Sequence, residues 1–104
     1  KRKISCLLIV HIFGSPLDKI EKLKKKCKEK NIFLVEDCAE SLGSYHLKKQ
    51  KKFHTGFYGD VSCFSFNGNK IVTAGSGGML CTNHKSISDK AKYLSTTAKD
   101  ISYK

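Results

Sequence analysis

The chain has no tryptophan, one proline (Pro16) and one methionine (Met79) in 104 residues. Acidic side chains are scarce: 9 Asp and Glu stand against 20 Lys and Arg, a formal net charge of +11. No uninterrupted apolar run approaches the roughly 20 residues of a membrane span. Ser5 to Phe13 is apolar but far too short, and it lacks a small-residue cleavage site, so no span and no targeting signal is read. There is no CxxC pair, and the five cysteines are odd in number. A disulfide framework is therefore not expected. Cys6, Cys63 and Cys81 lie within apolar runs, as buried free thiols do, which points to a reducing compartment and a cytoplasmic protein.

What is present fits one small domain at most. Hydrophobic residues make up 39% and charged residues 28%, so the core is small. Lysines cluster at Lys24-Lys25-Lys26 and from Lys48 to Lys52, with no aromatics interleaved. A solvated basic face is the expectation, and a basic module for nucleic acid or anionic surfaces is the alternative. Lys1 is not a methionine, and Ile101-Ser102-Tyr103-Lys104 carries no cap or polar tail. Both ends read as cuts inside a longer protein.

Ile4 to Ile12 is a near-continuous β-branched run, the pattern of a strand buried on both faces of a parallel sheet. Gly14-Ser15-Pro16 breaks it. Ser15 as cap, Pro16 in the first turn and Asp18 at the positive end predict a helix. Leu17, Ile20, Leu23 and Cys27 form its apolar face, lysines the other, and Asn31 its end. Ile32 to Val35 is a second strand, completing a right-handed βαβ unit. It ends at Glu36-Asp37, at the strand end where α/β sheets bind ligands. A short helical turn is expected over 39–42, closed by Gly43. Residues 44–60 read as an irregular hairpin or loop. Val61 to Phe66 and Met79 to Thr82 read as strands, Asn67 to Lys70 as a turn, and Ala74 to Gly78 as a flexible segment. A helix is expected from Ser86 to about Ala98, capped by Ser86 or Ser88.

The common phosphate signatures fail. Lys70 follows Asn69 and precedes Ile71, so no Walker A motif exists, and Gly75-Ser76-Gly77 does not continue to GxGxxG. His11, His46, His54 and His84 show no metal-ligand spacing in the sequence.

A constellation remains. Glu36-Asp37-Cys38-Ala39-Glu40 follows one strand, and Phe64-Ser65-Phe66-Asn67-Gly68-Asn69-Lys70 follows another. Gly75-Ser76-Gly77-Gly78 comes next. Val10 to Gly14 and Gly56 to Asp60 complete the set. In this order and spacing they resemble the DegT/DnrJ/EryC1/StrS family of pyridoxal-phosphate (PLP) sugar aminotransferases, over nearly the whole chain.

The resemblance implies an α/β fold, a fragment of the large domain of a fold-type I (aspartate aminotransferase-like) PLP-dependent transferase, truncated at both ends of 1–104. Lys70 matches the Schiff-base lysine, whose amine must be deprotonated when it acts. Asp37 matches the carboxylate that keeps the pyridine nitrogen protonated. Ala39 matches the small residue packed on one ring face. Glu40 stands near the cofactor's 3′ oxygen, where many members carry Gln or His. Ser65 matches the hydroxyl that binds the PLP phosphate. Ser76 stands where many members have Asp or Glu and receives no role. Gly77-Gly78 is expected to let backbone approach near the lysine.

The family further implies transfer of an amino group, usually from glutamate, to a keto sugar on a nucleotide. The local motifs look closest to enzymes acting at C4 of 4-keto-6-deoxy sugars, of the legionaminic acid and perosamine type. Members are several times longer and dimeric, so the fragment alone is expected to be inactive. A truncated member without activity is the further alternative.

Overall fold

In the computed structural model, residues 3–96 are described. The β-branched run forms strand β1 (Cys6–Val10), and a single 3₁₀ turn (Ile12–Gly14) leaves it. Helix α1 (Ile20–Glu29) then leads to β2 (Phe33–Asp37), which lies parallel to β1. This is the expected βαβ unit. An excursion follows with two strands, β3 (Tyr45–Lys48) and β4 (Lys51–His54), paired only with each other. Strand β5 (Val61–Ser65) joins the main sheet parallel to β2. β6 (Gly78–Thr82) lies antiparallel to β5, and helix α2 (Lys85–Ser95) packs on β6. The sheet order is β1-β2-β5-β6, mixed rather than wholly parallel.

In-register residues of neighbouring strands share a face. Leu7 pairs with Leu34, Ile9 with Glu36, and Glu36 with Ser62, so these residues point to one side. On that side Ile20 and Cys27 of α1 bury against Leu34, with Leu7, Ile9, Leu23, Ile32 and Tyr58 packed around them. Leu34 is fully buried, which contributes about 2 kcal/mol of hydrophobic stabilisation.

The other side differs from expectation. Cys6, Leu8 and Val10 are exposed, as is Phe33, and α1 packs on the opposite side of these strands. The apolar pattern of β1 is thus satisfied on one face only. The cysteine expectation is corrected with it. Cys6 is exposed and Cys63 and Cys81 are half-buried, whereas Cys27 and Cys38 are buried. Sitting in an apolar run does not decide which face a strand residue takes.

The start of α1 is also corrected. The helix begins at Ile20, not at Pro16, and its N-cap Lys19 is left-handed (φ 56°) with no side-chain cap. Ser15 is extended, and the Leu17 N–H is taken by His11 Nδ1 at 3.1 Å. That bond draws residues 15–18 away from a helical path. The C-terminal signal does hold: Asn31 is left-handed (φ 53°), just past the helix. Residues 39–43 form turns rather than a helix.

Of the two readings for residues 44–60, the hairpin is the one observed, and it is regular with a two-residue turn. Lys49 and Gln50 both have positive φ (45° and 64°), the conformation of the mirror-image turn that matches strand twist. Neither residue is the usual Asn or Gly. The α2 expectation holds through Ser95. His84, not Ser86 or Ser88, is its N-cap, and Ala98 lies outside the described residues. No helix among the described residues is long and apolar enough to cross a membrane. Lys22, Lys25, Lys26 and Lys28 of α1 are exposed, whereas Lys24 pairs with Asp60 at 2.6 Å.

Candidate active site

The carboxyl ends of the parallel strands β1, β2 and β5 lie along one edge of the sheet. Asp37 is the last residue of β2, placed between Val10 of β1 and Cys63 of β5. Its register puts it on the open face. The electrostatics agree: burial, then the Asp37 carboxylate beside it, push the Cys63 thiol above its ordinary range. Asp37 Oδ1 accepts the Ala39 N–H at 3.0 Å, so the carboxylate also caps the turn that follows. Ala39 is half-buried on that turn.

Ser65 is the last residue of β5, two positions past Cys63, and so shares the Asp37 face. Its hydroxyl accepts the Asn67 N–H at 3.4 Å and opens the next turn. In that turn the Lys70 N–H bonds the Asn67 carbonyl at 3.0 Å. The turn brings the Lys70 side chain back over the strand ends. Its ammonium lies 3.6 Å from Glu40 Oε1, with the lysine side chain 17% exposed. Phe13, Glu40, Asn69, Lys70 and Ile71 line an open cleft of about 270 Å³ there. The fold thus joins Lys70 to Glu40, joins Asp37 to Ala39, and sets Ser65 on the Asp37 face. Gly78 does allow a close backbone approach, and the backbone it meets is β5: a side chain there would overlap the Phe64 carbonyl, so the glycine is needed for β6 to pair with β5.

Beneath this edge lies a group that the sequence reading missed. Glu36, fully buried, accepts the Gly56 N–H at 2.8 Å and the Gly59 N–H. A side chain at Gly59 would crowd that carboxylate. Glu36 also bonds His11 Nε2 at 2.8 Å. Because His11 Nδ1 accepts the Leu17 N–H, its Nε2 carries the proton and donates. His46 completes a cluster in which ligating atoms of His11, Glu36 and His46 lie within 4.8 Å of one another. Burial, then neighbouring His11, push His46 below its ordinary range against the opposing pull of Glu36, and its Nε2 has no partner among the described residues. A metal is poorly served here. His11 would have to surrender its Nε2 proton while Nδ1 is committed, and Glu36 is already filled by donors. The cluster is a clamp that ties β1, β2 and the 56–59 loop together. No residue spacing signals it, because its members are 10 to 35 positions apart in the chain and only the crossover unites them.

The clamp carries a stability prediction. Glu36→Gln turns one acceptor oxygen into a donor facing backbone N–H groups. A loss of about 3 kcal/mol is expected in urea unfolding of the full-length protein, as for a broken buried charge network. A loss below about 1 kcal/mol would contradict the clamp.

The profile of the DegT/DnrJ/EryC1/StrS aminotransferase family matches residues 1–103. The chain belongs to this family. It is 43% identical over 92 residues to the GDP-perosamine synthase of Escherichia coli O157:H7, covering 88% of this chain and 24% of that protein. The GDP-perosamine synthase of Vibrio cholerae is 43% identical over 93 residues, covering 89% and 24%. The crystal structure of the aminotransferase TlmJ from Streptoalloteichus hindustanus superposes with a TM-score of 0.78 at 25% identity, over 96% of this chain and 26% of that one. The chain therefore spans about a quarter of the length of these relatives. Its α/β fold is that of the family's aminotransferases, as the sequence resemblance implied.

Proposed function

We propose that the full-length protein transfers an amino group to a keto group on a nucleotide-linked sugar, with PLP as cofactor and glutamate as donor. The observation that carries this reading is the partly buried Lys70 amine, held against the loop that follows the Asp37 strand at the carboxyl edge of the sheet. The 43% identity to two GDP-perosamine synthases supports a nucleotide sugar, and a 4-keto-6-deoxy sugar aminated at C4 in glycan biosynthesis. The residues fit the cofactor in kind. One carboxylate, one amine and one hydroxyl stand at the ends of adjacent strands, along an open face.

Bound PLP supplies an electron sink that lets an amino group leave one carbon and join another. Lys70 would hold the cofactor through its amine and, once freed, would carry a proton to and from the substrate carbon. Asp37 holds the proton on the pyridine nitrogen. Its bond to the Ala39 N–H fixes the carboxylate. Ala39 would pack on one face of the ring, Glu40 would stand near the 3′ oxygen, and the Ser65 hydroxyl would bind the phosphate. The chain is part of the PLP-binding large domain. Segments outside it cover the bare face of the sheet and add the small domain, and a second subunit completes the phosphate site of a cytoplasmic homodimer. The fragment alone is inactive.

Incubating the full-length protein with PLP tests this directly. The expected result is a new near-ultraviolet or visible absorbance band, with borohydride fixing the cofactor on the Lys70 peptide, identified by mass. Fixation elsewhere, or none, would remove the reading.

A further inference from the structure

The Glu40 carboxylate does two things at once. Its Oε2 accepts the Phe13 N–H at 3.0 Å, and its Oε1 faces the Lys70 ammonium at 3.6 Å. Phe13 follows β1, Glu40 follows β2 and Lys70 follows β5, so one side chain stitches three loops at the carboxyl edge of the sheet. The stitch holds an unusual backbone. Phe13 is left-handed (φ 51°, ψ 34°) while its ring is 88% exposed, a conformation that bulky residues adopt only where surroundings enforce it. Gly14 lies so close that a Cβ there would stand 3.2 Å from the Glu40 carbonyl.

We propose that Glu40 is a positioning residue that latches the Lys70 amine in the cofactor-free protein and must release it when the cofactor is attached. The proposal rests on the reading of Lys70 as the cofactor-bearing lysine. The chemistry follows from charge. The ion pair holds the amine against the Glu40 side of the cleft, and an amine engaged there has to leave the carboxylate before it can attack. For attachment, the ammonium gives its proton to solvent and the nitrogen attacks the aldehyde carbon of PLP. The carbonyl oxygen then leaves as water. Glu40 aims the amine into the cleft and delays the attack until the pair parts. The pair is 40% exposed on the carboxylate side, so its hold is modest and sensitive to salt.

Two substitutions separate the parts. Glu40→Gln keeps an oxygen for the Phe13 N–H and removes the charge, whereas Glu40→Ala removes both. In the full-length protein freed of cofactor, two probes read the amine: PLP followed by borohydride, and dilute acetic anhydride. Each is scored at the Lys70 peptide by mass. Lys70 in Glu40→Gln is expected to react about fivefold faster than wild type at pH 7 with both probes, the factor of a partly exposed ion pair. Added salt is expected to speed the wild-type reaction and leave Glu40→Gln unchanged, a response that a purely structural contact would not give. Equal rates and equal salt dependence in wild type and Glu40→Gln would overturn the latch. If acetylation shows the difference but PLP never fixes on Lys70, the latch stands and the cofactor reading falls.

Discussion

Replacing Lys70 with alanine in the full-length protein is expected to lower kcat/KM for amino transfer by about 10⁴-fold, the upper range for loss of a positioned proton-transfer group. On the proposed reading two functions would disappear together, the covalent hold on PLP and the proton shuttle, and among the described residues no other lysine lines the Glu40 cleft. Lys70 lies on a turn fixed by its own N–H to the Asn67 carbonyl, and Lys85 pairs with Asp89 on α2. Lys70→Arg is expected to fail almost as completely, because a guanidinium stays protonated and cannot attack an aldehyde. A small amine such as methylamine should restore part of the rate to the alanine variant only, since the arginine side chain fills the space. Activity of Lys70→Ala within tenfold of wild type would show that the chemistry lies elsewhere.

Asp37→Asn is expected to reduce kcat by about 10³-fold, comparable to removing one preorganised electrostatic group. The substitution is a clean one here. Asparagine still offers an oxygen to the Ala39 N–H, so the turn after β2 survives and thermal stability should stay close to wild type. On the proposed reading, what would be lost is the negative charge that keeps a proton on the pyridine nitrogen, and with it the electron sink. The Cys63 thiol provides a second readout, independent of activity. The Asp37 carboxylate is, after burial, the next cause holding that thiol high. Without the charge, Cys63 should react faster with a thiol reagent at pH 8. Unchanged kcat in a folded Asp37→Asn protein would remove Asp37 from the mechanism.

The βαβ unit was legible because each element carries a local signal. β-Branched residues mark β1, the Ile20-Leu23-Cys27 face marks α1, and Asn31 marks its end. The start of α1 was not, because the Leu17 N–H goes to His11, and a bond from a side chain outside the helix leaves no trace in local propensity. A hairpin was one of the two readings of residues 44–60, but its regularity was not legible, because Lys49 and Gln50 take positive φ without glycine or asparagine to announce it. The exposed face of β1 runs against its own pattern. Leu8 and Val10 ask for cover that no described element supplies. Of the candidate site, Asp37, Ala39, Glu40, Ser65 and Lys70 were reached through motif resemblance, and the sheet order explains their spacing. Glu36 stood in the same motif but carried no role. A strand glutamate reads as a solvent-facing residue until the crossover wraps Gly56 and Gly59 around it.

The excursion that carries β3 and β4 leaves and re-enters the sheet at adjoining points. The Cys38 N–H bonds the Cys63 carbonyl at 2.8 Å, and the Asp60 N–H bonds the Leu34 carbonyl at 2.7 Å. Its root is therefore anchored independently of its tip, and the tip at Lys49-Gln50 is exposed. Lengthening a loop costs only about 0.6 kcal/mol per doubling. This promontory is accordingly where added residues should be tolerated, and where a fluorophore or epitope could be spliced in without reaching the carboxyl edge of the sheet.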